Sequence, residues 1–128
     1  MRWRRFFEMG GAVRVSAALA GMGVVLGALG AHALKPELLE RGQVEVWGTA
    51  VLYHLVHAVV MLVLAFQCGA ANRMGWLLMG LGTVGFSGSL YLLSTAGWRF
   101  LGPVTPLGGL LLVAGWVTLM VKPGRISS

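Results

Sequence analysis

Four long stretches without a charged residue decide what this chain can become. They cover residues 15–34, 46–72, 74–98 and 100–121, which is 20, 27, 25 and 22 residues in turn. A helix rises about 1.5 Å per residue, so about 20 apolar residues cross a hydrocarbon core about 30 Å thick. Lipid offers no partner for backbone N–H and C=O groups, which leaves helices and closed barrels as the structures that span it. Barrel strands alternate polar and apolar residues, and no such segments occur here. The expected fold is all-α: a polytopic membrane protein, a bundle of four transmembrane helices. The spans are expected at about 13–34, 46–69, 74–97 and 103–121 within a transmembrane domain 12–121. A basic arm (1–11) precedes it and a short tail (122–128) follows.

Composition agrees. Only 11% of the residues are charged and 57% are hydrophobic, whereas a soluble domain carries about 25% charged residues. The net charge of +6 could suggest nucleic acid. The ten basic residues, however, sit at chain ends and between apolar runs, with no basic stripe interleaved with aromatics. The lipid bilayer is the expected partner, and nucleic acid is not. Cys68 is the only cysteine, so no internal disulfide forms.

Breakers and charges mark the loops. Lys35-Pro36 closes the first span, and Pro36 can start a short amphipathic helix ending at Arg41, closed by Gly42. Asn72-Arg73 is expected to break the second span from the third. Gly102-Pro103 opens the fourth, and Pro123-Gly124 ends it. Seven Lys/Arg (Arg2, Arg4, Arg5, Arg14, Arg73, Lys122, Arg125) fall on one side and three (Lys35, Arg41, Arg99) on the other. The positive-inside rule then places both termini in the cytoplasm and the short helix in the outer first loop of an inner-membrane protein. Trp3, Trp47, Trp76 and Trp98 fall near the expected interfaces, while Trp116 lies deeper. Arg4-Arg5-Phe6-Phe7, with an apolar run to Ala31-His32-Ala33, also fits a twin-arginine signal. The run is long for a signal's apolar core, and the spanning reading is preferred.

Helices in lipid associate through close approach of small residues and through polar contacts. The first span carries Gly23 and Gly27 on a stripe with Ala20, Gly30 and Ala31. The third carries Gly82, Gly85 and Ser89 on one stripe, with Gly88 beside them. These residues are expected to pack the bundle internally; a self-association face is the alternative.

Polar residues inside a membrane are the default functional candidates. Here they are His32, His54 and His57, with Ser87 and Tyr91 of the third span. A spacing of three puts His54 and His57 on one helical face, roughly 10 Å below the outer edge and near mid-membrane at about 1.5 Å per residue. His57 is expected to meet the third span, through Ser87 or a carbonyl freed by neighbouring glycines. The three imidazoles offer ligands for a transition metal or for axial haem coordination. No carboxylate lies in any span to orient a ligating histidine, so no cofactor and no metal are expected. HExxH, Cys-x-x-Cys and P-loop motifs are missing, there is no acid–base pair, and no enzyme is expected.

Several segments together resemble a known family. They are residues 29–35 (LGAHALK), Trp47 with 49–58 (TAVLYHLVHA), 85–93 (GFSGSLYLL), 105–109 (TPLGG) and Gly115-Trp116. This resembles the YgdD/YwdK-like family of small bacterial membrane proteins with mitochondrial-type eukaryotic relatives, over about residues 12–121. The resemblance implies four helices and supplies no activity or catalytic residues. Two roles stand open: a structural or accessory subunit of a larger inner-membrane assembly, respiratory ones included, or a binding protein for a metal, haem or a hydrophobic cofactor such as a quinone.

Overall fold

The computed structural model describes residues 2–67 and 70–123. Six helices follow one another: α1 Arg2–Glu8, α2 Gly11–Ala31, α3 Lys35–Arg41, α4 Val44–Ala65, α5 Ala70–Thr95 and α6 Val104–Val121, with a 3-10 turn at Arg99–Leu101 before α6. No strand occurs among the described residues. Four helices are long and apolar enough to cross a membrane. They run up and down: α2 packs on α4, α4 on α5 and α5 on α6. One end of the bundle gathers α1, the α4–α5 connection and the end of α6. The other gathers α3 and the Arg99–Leu101 turn.

Local chemistry sets the boundaries. Gly10 and Gly42 have φ of 77° and 65°, the left-handed region that costs a side-chain-bearing residue. Gly10 lets α1 fold back and separates it from α2. Gly42 closes α3: its N–H donates to Leu39 O while the N–H of Gln43 donates to Leu38 O, which caps the last carbonyls. Leu38, fully buried, anchors this short helix to the bundle.

The structure adds one feature and changes two expectations. The basic arm is a helix: Trp3, Phe6 and Phe7 share a face and pack edge-on around Trp76, with ring centroids 5.3–6.4 Å from it, while Arg2, Arg4 and Arg5 stay exposed. The first span ends at Ala31 rather than residue 34, because the chain turns at His32 and the N–H of Leu34 reaches back to Leu29 O. Asn72-Arg73 does not break a helix but lies inside the first turns of α5. A polar side chain is tolerated at a helix start, where backbone N–H groups lack intrahelical partners. Cys68 and residues 124–128 lie outside the described residues.

The apolar core sits toward the α1 end, where Ala12, Met61, Leu64, Ala65, Trp76, Met79 and Leu112 meet. Large side chains such as Val25, Val59, Leu81, Val84, Leu110 and Val113 are exposed on the outside of the bundle, the inverse of a soluble surface and the surface that lipid covers.

Candidate functional site

Toward the α3 end the interior becomes polar, and its polar groups join helices. His54, on α4, is 3% exposed. Its Nε2 lies 2.7 Å from Leu19 O of α2 and its Nδ1 lies 2.9 Å from the Tyr91 hydroxyl of α5. A carbonyl only accepts, so Nε2 carries a proton, and in the neutral ring Nδ1 then accepts from Tyr91. His57, one turn deeper, is wired the other way. Its Nδ1 donates to Tyr53 O at 2.8 Å, and its Nε2 accepts from the Trp116 indole of α6 at 3.1 Å. As neutral rings the two are in opposite tautomers, and both nitrogens of each are occupied.

Indoles repeat the device. Trp47 donates to Leu26 O of α2 at 2.9 Å. Trp76 donates to Ser16 Oγ at 2.8 Å, and that hydroxyl donates onward to Ala12 O. Ser87 of α5 donates to Ala50 O of α4 at 2.7 Å. Ser89 commits its proton to Phe86 O, so Thr105 of α6 donates to Ser89 at 2.6 Å.

Glycines decide which carbonyls can be reached. In α2 the carbonyl of residue i is covered by the side chain of residue i+4. Leu19 is followed four residues on by Gly23, and Leu26 by Gly30. A Cβ on Gly30 would overlap the Trp47 indole, and one on Gly23 would lie 2.7 Å from Leu55 and 3.3 Å from the His54 ring. Gly27 faces Val51 at 3.3 Å. The stripe of the first span therefore packs on α4. On the other side of the molecule, a Cβ on Gly108 of α6 would overlap the backbone of Phe86, one on Gly85 would lie 3.2 Å from the Gly108 Cα, and one on Gly82 2.8 Å from the Leu112 nitrogen.

Of the residues singled out above, His54 and Tyr91 are brought together, while Ser87 joins α5 to α4 one turn away. Two expectations fail. His57 finds its partner on the fourth span, Trp116, because depth fixes which residues lie level with it but not which way its ring points. Gly88 packs against nothing: no atom lies within 4 Å of a Cβ built there. It opens instead on a lipid-facing groove of about 160 Å³ between α2 and α5, lined also by Leu19, Met22, His54, Ser87 and Tyr91. His32 is exposed at the end of α2, apart from the other two histidines. Among the described residues no three His, Cys, Asp or Glu side chains converge. The indole bonds of Trp47, Trp76 and Trp116 were missed; for Trp47 the signal available was Gly30, four residues after the accepting carbonyl of Leu26, and the other two indoles had no such signal.

Comparison with known proteins agrees on kind. Residues 26–109 match the family described as "Protein of unknown function (DUF423)". The chain is 42% identical over 105 residues to the UPF0382 membrane protein SH2409 of Staphylococcus haemolyticus, covering 79% of this chain and 84% of that one. It is 40% identical to the UPF0382 membrane protein YwdK of Bacillus subtilis, over 78% and 85% of the two chains. It is 37% identical to the UPF0382 inner membrane protein YgdD of Escherichia coli, over 88% of each. No solved structure matches.

Proposed function

Since this chain belongs to the DUF423 family of UPF0382 membrane proteins, we propose that it is a structural or accessory subunit of a larger inner-membrane assembly, respiratory assemblies among them. It is a multi-pass membrane protein of four spanning helices. One observation supports the reading most: His54 and His57, the buried groups best suited to ligation or proton transfer, have both ring nitrogens already bonded, three of the four bonds reaching another helix. A histidine bonded at both ring nitrogens is a fastening, and a bundle so fastened offers its partners a stable apolar surface. On the positive-inside rule both termini face the cytoplasm, and the reading assigns no catalytic step.

The groove beside Gly88 favours a second reading, a binding protein for a hydrophobic cofactor such as a quinone, seated next to Tyr91 and His54. Extraction of the protein from its native membrane in a mild detergent separates the two. A stoichiometric protein partner with no visible absorption band supports the first. A chain that purifies alone with a bound chromophore or metal contradicts it.

A further inference from the structure

The charges of this molecule are divided unevenly between its ends. Among the described residues the α3 end carries three basic residues (Lys35, Arg41, Arg99) and three acidic ones (Glu37, Glu40, Glu45); the α1 end carries six basic residues (Arg2, Arg4, Arg5, Arg14, Arg73, Lys122) against Glu8 alone. The net positive charge of the described residues therefore lies at the α1 end. Into that end opens a cavity of about 590 Å³, between α1, the start of α2, the end of α4 and the start of α5. Two arginines from different helices, Arg4 and Arg73, line it beside an apolar wall of Phe7, Val13 and Phe66. Arg73 makes no ion pair among the described residues, and Arg4 makes a loose one, 3.8 Å to the exposed Glu8.

We propose that this cavity binds the phosphate headgroup of an anionic phospholipid between Arg4 and Arg73, with an acyl chain along Phe7, Val13 and Phe66. Three features favour a lipid over another anion. The cavity sits where Trp3 and Trp76 mark the headgroup level of the bilayer. It joins cationic to apolar walls, as an amphipathic ligand requires, and basic pockets between spanning helices at a membrane surface suit anionic headgroups. A cavity at the α3 end is also lined by two arginines, Arg41 and Arg99. There Arg41 is held by Glu37 at 3.2 Å, and the surrounding charge is balanced. Glu8 competes with the ligand for Arg4, so binding displaces it.

The test uses the full chain in a neutral detergent, with thermal unfolding followed as phosphatidylglycerol, phosphatidylcholine or inorganic phosphate is added. Phosphatidylglycerol should raise the unfolding temperature, and the other two should not match it. Arg4→Gln and Arg73→Gln should each weaken the apparent affinity about fivefold, since an arginine near a charged membrane surface contributes about that factor. Glu8→Gln should strengthen it, and Arg99→Gln should leave it unchanged. Native mass spectrometry of the same samples reads the bound lipid independently of stability: the wild type should retain phosphatidylglycerol and Arg73→Gln should lose it. Equal effects of the two lipids, or retention by both arginine variants, overturn the proposal. An equal effect of inorganic phosphate reassigns the cavity to a free anion and overturns the lipid.

Discussion

The seams on the two sides of the central α4–α5 pair are both lined with glycine, yet they hold together by different physics. Where α5 meets α6, glycine lies against backbone: Gly85 on Gly108, Gly108 on Phe86, Gly82 on Leu112. The association rests on shape, with Thr105 to Ser89 as its cross-helix hydroxyl bond. Where α2 meets α4, glycine lies under a polar ring: Gly30 under the Trp47 indole and Gly23 under His54. There the glycine exposes a carbonyl already bonded within its helix, and the ring adds a second bond to it. Lipid tails are as apolar as the helices, so neither seam gains from removing apolar surface from water. One gains dispersion contacts from close approach, and the other gains hydrogen bonds made where no water competes.

The contrast is easiest to break on α5, which carries both kinds of glycine. Gly85→Leu must force α6 away, and overpacking of this kind costs about 1–3 kcal/mol, occasionally more. Gly88→Leu, the same change three residues on, points into open space and should stay within about 0.5 kcal/mol of the wild type. Leu81→Ala, at a lipid-facing position, should behave like Gly88→Leu. Thermal unfolding in detergent orders the three; Gly85→Leu and Gly88→Leu falling together would show that α5 does not pack through its α6 face.

On the polar side, His54→Leu strands the Tyr91 hydroxyl and leaves Leu19 O with its intrahelical bond alone. A stranded buried group costs about 1–3 kcal/mol, so this variant should lose more than His54→Gln, whose amide can still donate and accept. Equal losses in unfolding experiments would mean that the ring acts by its volume and not by its bonds.

Smaller still is the effect expected at the α4–α6 contact. Trp116→Phe removes one indole donor at a ring that is 46% exposed, and hydrogen bonds between spanning helices average about 0.6 kcal/mol. His57→Gln should be tolerated similarly, and the double variant should cost less than the two single losses added. Strict additivity measured in that cycle would remove the His57–Trp116 bond.

The four spans were legible because a single quantity, the distance between charges, is decisive in lipid. The helix in the basic arm was not read from the sequence, although Trp3, Phe6 and Phe7 at positions i, i+3 and i+4 carried its signal. The polar residues of the site were found from the cost of placing them in hydrocarbon, which identifies who must have a partner. It does not identify the partner. His57 met Trp116 instead of Ser87, and Gly88 faced lipid although Gly85 faces α6, because the rotation of each helix about its axis is set by packing against its neighbours, which no single segment records.

Opposite tautomers at His54 and His57 are the core of this description, and nitrogen NMR of the 15N-histidine-labelled protein in lipid reads them directly, with assignment by His54→Gln and His57→Gln. At neutral pH the expected spectrum has His54 protonated at Nε2 and His57 at Nδ1, both rings neutral. Two rings in the same tautomer, an imidazolium at either position, or nitrogen shifts typical of a metal ligand would contradict the fastening role of both histidines.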